Sequence, residues 1–193
     1  MRKFIFSLLI CTSLSAVAQT ETDIRNQYQD VNKRIEASKE HGMEGELYCN
    51  EWVSNKYSKS WPAVGIYNET TDFWYDDDPN HLAPEERDPK ITLLKVAITR
   101  KSAELTTNEE YLYKNGRLVF YHSKEGEEGK ERETRIWFNI RGVFKSSVRA
   151  NGKELSPKEL ATAEYSDFKP RTAVVLKDGK HYQDLYLKHM LYY

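Results

Sequence analysis

Cysteine is almost absent from this chain, which has two cysteines in 193 residues. Cys11 lies within the apolar core of an N-terminal segment of the kind that is removed on export. Cys49 would then be the only cysteine of the mature protein, which excludes an internal disulfide. In the strand-like run Leu47-Tyr48-Cys49 we expect a buried small hydrophobe, with a nucleophile or an intermolecular bridge as the alternatives.

Long hydrophobic runs are also missing, since the longest extends from Phe4 to about Val17 and is too short for the roughly 20 residues that span a bilayer. The run follows a basic tip and ends in Ala16-Val17-Ala18, the pattern of a secretory signal peptide. We therefore predict a signal peptide over residues 1–18, and a periplasmic or secreted protein without stable membrane insertion. Ile10 occupies the position where lipid attachment at Cys11 would need a small residue, so no acyl anchor is expected.

The chain has no excess of basic charge, with 29 Lys and Arg against 30 Asp and Glu. Nucleic acid is excluded as a partner, because phosphate binding needs a concentrated basic surface. Residues 19–193 have the length of a single domain with its own core, and we predict one α+β domain there. Aromatic residues supply large buried areas for that core.

Several catalytic and cofactor patterns are missing as well. None of the five histidines forms a pair at the helical spacing that metals favour, and no Gly-rich phosphate loop joins a strand to a helix. No serine lies in a Gly-x-Ser-x-Gly elbow. The sequence thus predicts neither a metal site nor a cofactor, and it favours a non-enzymatic protein.

Helical periodicity is present directly after the predicted cleavage site. Apolar residues recur at helical spacing over residues 22–40, with Thr20 or Thr22 as a possible cap and Gly42 after the last turn. The members of this stripe are Ile24, Tyr28, Val31 and Ile35.

Alternating patterns dominate from there to about residue 155 and predict strands. Asn115-Gly116 calls for a two-residue type I′ hairpin, and Asn151-Gly152 for a second one. The predicted cross-strand pairs are Lys114 with Arg117, Tyr113 with Leu118, Leu112 with Val119, Tyr111 with Phe120, Arg149 with Glu154, and Val148 with Leu155. Short turns favour an antiparallel meander of about six to eight strands, flanked by an N-terminal helix and C-terminal helices.

The C-terminal region returns to helical signals. Ser156-Pro157-Lys158-Glu159 resembles a helix start and predicts a short helix over 157–164. A helix is also predicted over 181–191. Residues 171–177 stay open between helix and hairpin strand, because Asp178-Gly179 interrupts the pattern.

An acidic, proline-rich loop over residues 76–90 follows the aromatic triplet Phe73-Trp74-Tyr75. Loops of this length in compact domains are commonly functional or disordered. Asp76, Asp78 and Asn80 alternate as calcium ligands do, but the glycine and the closing glutamate of a calcium loop are missing. The loop is therefore read as acidic and solvated.

Four tryptophans raise the alternatives of core packing and a sugar-binding platform. If the protein binds a ligand, the site is expected where the aromatic strand enters the acidic loop, with ring stacking and acceptor oxygens side by side. The candidate ligand-binding residues are Trp74, Tyr75, Asp76 and Asp78.

The leader with Ala-x-Ala followed by Gln19, joined to a domain rich in tyrosine, lysine and glutamate, resembles the small exported proteins of uncharacterised function in Bacteroidetes bacteria. This resemblance carries no active site. The sequence favours a bacterial interaction or binding domain for an unknown protein or glycan; a carbohydrate-binding module and a hydrolase are the alternatives.

Overall fold

An N-terminal helix, nine antiparallel strands and a C-terminal helix follow one another in the computed structural model, which describes residues 20–62, 65–76, 92–103, 105–126 and 130–190. The predicted α+β class and antiparallel meander are confirmed. Seven strands have seven residues or more, and two have only two residues. The elements are α1 (Glu21–His41), β1 (Tyr48–Ser54), β2 (Ser60–Trp61), β3 (Gly65–Tyr75), β4 (Leu93–Ser102), β5 (Leu105–Lys114), β6 (Arg117–Gly126), β7 (Arg132–Asn139), β8 (Gly142–Ala150), β9 (Lys153–Glu154) and α2 (Thr172–Met190).

The strands form one sheet in the order β1-β3-β4-β5-β6-β7-β8-β9, and β2 pairs with β3 at its start. The helices cover opposite faces of this sheet, which we call the α1 face and the α2 face. The buried core of the α1 face comprises Ile24, Val31, Ile35, Leu47, Trp74, Leu112, Val119, Phe120 and Trp137. That of the α2 face comprises Phe73, Tyr75, Leu93, Val96, Ile98, Tyr111, Tyr113, Tyr121, Ile136, Phe138, Val175 and Tyr186.

Helix α1 begins and ends where the sequence predicts. The Thr20 hydroxyl accepts from the Asp23 amide (3.2 Å), and the Asp23 carboxylate accepts from the Thr20 amide (2.9 Å), which makes Thr20 the N-cap. Gly42 ends the helix at a φ of 57°. The stripe of Ile24, Val31 and Ile35 is buried against the sheet, as its spacing indicates.

The central hairpin has the predicted turn but only part of the predicted register. Asn115 and Gly116 both have positive φ, 49° and 69°, as a type I′ turn requires. Between Leu112 and Tyr113 the register shifts by one residue, because Val119 is an additional residue in β6. The predicted Leu112–Val119 and Tyr111–Phe120 pairs are therefore wrong. The observed pairs are Lys114 with Arg117, Tyr113 with Leu118, Leu112 with Phe120, and Tyr111 with Tyr121. Phe120 therefore lies on the α1 face and not beside Tyr111.

The second hairpin is confirmed. Arg149 pairs with Glu154, and the Leu155 amide donates to the Val148 carbonyl at 2.9 Å.

The predicted short helix over 157–164 is wrong as an α-helix. The Ser156 cap forms, since its hydroxyl accepts from the Glu159 amide (3.3 Å), but only the 3-10 turn Glu159–Ala161 follows. None of the residues in that turn is buried, so no packing stabilises an extension.

Helix α2 includes both the predicted 181–191 region, as far as Met190, and the ambiguous residues from Thr172 onward. Asp178-Gly179 continues the helix and makes no turn. A Cβ at Gly179 would lie 2.9 Å from Leu118 Cδ2, so glycine permits a close approach of the helix to the sheet. The Gly179 carbonyl also accepts from the Tyr113 hydroxyl at 2.6 Å.

Candidate functional site

A cleft of about 410 Å³ opens on the α1 face between the first turns of α1 and strands β6, β7 and β8. This volume is within the range of small-molecule sites. Phe120 and Trp137 form its apolar floor, with ring centroids 5.2 Å apart. The charged side chains at its walls are Glu21 and Arg25 from the helix, and Arg135, Lys145, Arg149 and Glu154 from the sheet.

Cross-strand pairing explains why these side chains share one face. His122 pairs with Arg135, Trp137 pairs with Lys145, and directly opposed residues of antiparallel strands point to the same side. Two bulges set this arrangement. The extra Val119 turns Phe120 and His122 toward α1, and a second register shift after Trp137 does the same for Lys145.

A buried polar network extends from the cleft under helix α1. Glu110 accepts from Lys95 Nζ (2.6 Å), from the Tyr28 hydroxyl and from His122 Nδ1 (3.3 Å). The side chain of Lys95, a residue only 5% exposed, has Asn32 Oδ1 as a second acceptor at 2.7 Å. This network gives each buried polar group a partner, as the low polarity of the interior demands.

Glu110 is held in its ionised form. Burial would raise its pKa, but the hydrogen bond from His122 and the positive charge of Lys95 more than offset it and lower the pKa to about 2. Burial together with the hydrogen bond to Glu110 raises the pKa of Tyr28, which therefore remains a hydroxyl donor.

His122 is clamped between two carboxylates. Its Nδ1 faces Glu110 at 3.3 Å, and its Nε2 faces Glu133 at 2.9 Å. Burial acts to raise the pKa of Glu133, but Arg135 outweighs it through a hydrogen bond and its charge and lowers the pKa. Because an ionised carboxylate only accepts, each contact is a hydrogen bond only where the facing ring nitrogen carries a proton. Both ring nitrogens are engaged by these contacts.

Cations outnumber carboxylates around the cleft. Arg25 and Lys145 share the Glu21 carboxylate, at 3.0 and 2.8 Å. On the opposite wall, the Glu133 carboxylate contacts His122 and Arg135, and it lies 3.6 Å from Arg149 Nη1. Arg149 Nε is buried and has no hydrogen-bond partner among the described residues. The cleft is thus positively biased in a chain of formal net charge −1.

The structure does not bring the predicted ligand-binding residues together at an open surface. Trp74 is 7% exposed and lies under α1, with Lys39 Nζ 5.7 Å from its ring centroid. Tyr75 is buried on the opposite face, in contact with Tyr48 and Tyr186. Asp76 Oδ2 forms a salt bridge with Arg34 Nη2 at 2.6 Å.

Asp78, like residues 77–91 as a whole, lies outside the described residues. Ligand binding by Trp74, Tyr75, Asp76 and Asp78 stays a prediction, but the two rings offer little stacking area.

The expectation that Cys49 is a buried small hydrophobe is wrong, because this residue is exposed on β1. Even so, partial desolvation and the charges of Asp72 and Glu51 raise the pKa of its thiol to about 12. The neutral thiol is a poor nucleophile, which argues against the alternative of a reactive cysteine.

Sequence reasoning missed the cleft. One signal was present, since Lys145, Ser147 and Arg149 alternate along a strand and so share a face. A polar strand face next to the buried Trp137 could have marked this surface.

No protein-family model, curated protein or solved structure gives a significant match to this chain. Within the described ranges, neither helix is long and apolar enough to cross a membrane. The same residues contain no group of three or more His, Cys, Asp or Glu side chains that could hold a metal ion.

Proposed function

We propose that this protein is a non-enzymatic binding domain and that the cleft between α1 and β6–β8 is its ligand site. The observation that carries the proposal is an apolar floor of Phe120 and Trp137 under walls whose cations are incompletely neutralised. A concave apolar surface with a few convergent polar groups is typical of small-molecule sites.

The protonation states favour binding over proton-transfer chemistry. A general base works best when its pKa lies near the working pH. Glu110 is held far below that range, Tyr28 is held protonated, and both nitrogens of His122 are engaged. Because these groups already hydrogen-bond one another, the sheet wall would lose little entropy when a ligand binds.

Export is part of the same proposal and is supported by the leader over residues 1–18. Mass spectrometry of the protein from its native cells should find a mature chain that begins at Gln19. An intact Met1 would contradict export.

A carbohydrate-binding module is the second candidate, and a different surface favours it. Trp61 is 46% exposed and lies 5.1 Å from the Tyr67 ring, and Tyr57 on the preceding loop is almost fully exposed. Exposed rings of this kind can stack on sugars.

A pair of variants on one strand tests the cleft. Ser147 lines it, whereas Ser146 points to the α2 face opposite Ile136. Ser147→Trp should fill the cleft and abolish binding of compounds detected by saturation-transfer NMR from a small-molecule library. Ser146→Trp is the matched control and should bind as the parent does.

Equal binding by both variants would overturn the cleft as the ligand site. Loss of glycan-array binding on Trp61→Ala, with the cleft variant unaffected, would support the carbohydrate alternative.

A further inference from the structure

We infer that the ligand of the cleft is a small organic monoanion: a flat ring system that carries one carboxylate. This inference rests on the proposed function and specifies its ligand class. It follows from the charge balance of the walls, from the incomplete pairing of Arg149 and from the position of Lys145.

The charge balance calls for an anion. Four cationic side chains line the cleft, namely Arg25, Arg135, Lys145 and Arg149. The carboxylates within reach are Glu21, Glu133 and Glu154. A ligand with one negative charge would reduce the excess, whereas a cation would add to it.

Arg149 is the best placed group to receive the carboxylate. Its contact with Glu133 is long, at 3.6 Å, and Nε has no acceptor among the described residues. A guanidinium binds a carboxylate through two parallel hydrogen bonds, and a buried donor without a partner is costly. A small rotation of this side chain toward the cleft would give both donors an acceptor.

Lys145 marks where the ring would lie. Its ammonium is 5.0 Å from the centroid of the Trp137 ring and donates to Glu21 at 2.8 Å. The Trp137 ring is only 7% exposed beneath this ammonium. A ligand ring could therefore stack on Trp137 only by displacing the ammonium, which could then pair with the ligand carboxylate. Glu21 would keep Arg25 as its partner at 3.0 Å, so the exchange leaves no carboxylate unpaired.

Four probe compounds distinguish the contribution of the ring to binding from that of the negative charge. They are indole-3-acetate, its neutral amide, tryptamine and acetate. Binding is measured by NMR titration of the full mature chain, through the indole N–H signal of Trp137. Indole-3-acetate should bind about tenfold more tightly than the amide, since one charge-assisted hydrogen bond is worth about that factor. Tryptamine and acetate should bind more weakly than either.

Two variants test which side chains contact the ligand carboxylate, and a third tests the effect of removing a positive charge outside the cleft. Arg149→Gln and Lys145→Met should each remove most of the preference for indole-3-acetate over the amide. Arg141→Gln is the control, because Arg141 is exposed in the β7–β8 turn. It should leave the preference unchanged.

The possible failures are distinguishable. Equal or tighter binding of the amide or of tryptamine would overturn the anionic class and leave a ligand-binding cleft. Absence of binding by all four probes would likewise overturn the inference, and the separate library screen with Ser147→Trp would then decide whether the cleft binds any small molecule.

Discussion

Removal of the charge on Glu110 should destabilise the protein strongly at neutral pH. The pKa of this carboxyl falls from 4.5 to about 2 on folding, and each pKa unit corresponds to about 1.4 kcal/mol. The ionised form thus contributes about 3 kcal/mol to the free energy of unfolding at pH 7. Glu110→Gln should lose about that much, because Lys95 would remain buried with only the neutral acceptors of the Gln side chain and Asn32.

The same substitution should lose its effect in acid. Because folding lowers the pKa of Glu110, its stabilisation is complete above the unfolded value of 4.5 and disappears as the pH falls toward 2. Urea denaturation of parent and variant at pH 7, 5, 4 and 3 should show a difference that shrinks to less than half by pH 3.

Glu131→Gln is the control for this experiment, since Glu131 pairs with Lys124 at a largely exposed site and should contribute less than about 1 kcal/mol. A loss below about 1 kcal/mol for Glu110→Gln at pH 7, or a difference independent of pH, would refute the reasoning.

Three further substitutions or measurements test the fold. Gly116→Val should lower the free energy of unfolding by about 1 kcal/mol or more, because a β-branched residue is strained at a φ of 69°; an unchanged thermal midpoint would contradict the type I′ turn. Gly179→Val should cost about 2 kcal/mol by overlap with Leu118, whereas Gly179→Ala should cost less because a leucine methyl can shift; equal midpoints for both variants would contradict the close approach. Cys49 in the folded protein should be alkylated by iodoacetamide at pH 8 more slowly than in urea, since its pKa is about 12 in the fold; peptide mass spectrometry of the Cys49 fragment measures both rates, and faster reaction of the folded protein would contradict the raised pKa.

The sequence predicted those features that depend on local chemistry. Asn115-Gly116 determines a turn through its backbone preferences alone, and Thr20 caps a helix through contacts within three residues. The bulge at Val119 has no such local mark, because apolar residues occur on both faces of β6. A shift of one residue moves the following side chains to the other face, so the predicted pairing of Phe120 with Tyr111 on one face is wrong.

The cleft could not be predicted from the sequence for a related reason. Sequence reasoning placed a candidate site on the contiguous segment around Trp74 instead, because an aromatic strand before an acidic loop is conspicuous along the chain, and binding there stays a prediction. The structure covers Trp74 with α1, and it assembles the cleft from residues of four strands and one helix. Their proximity depends on register and helix placement, which a single sequence does not display.

The contact between Glu21 and Lys145 has a consequence for the order of assembly, since 124 positions separate the two residues along the chain. Helix α1 is complete early in synthesis, yet the wall that it faces does not exist until β8 has emerged. The strands of the meander can pair in sequence, one hairpin after another, because each strand pairs with a near neighbour in the chain. The cleft therefore cannot form until β8 has been synthesised, and a nascent chain that stops before β8 lacks the strand that carries Lys145.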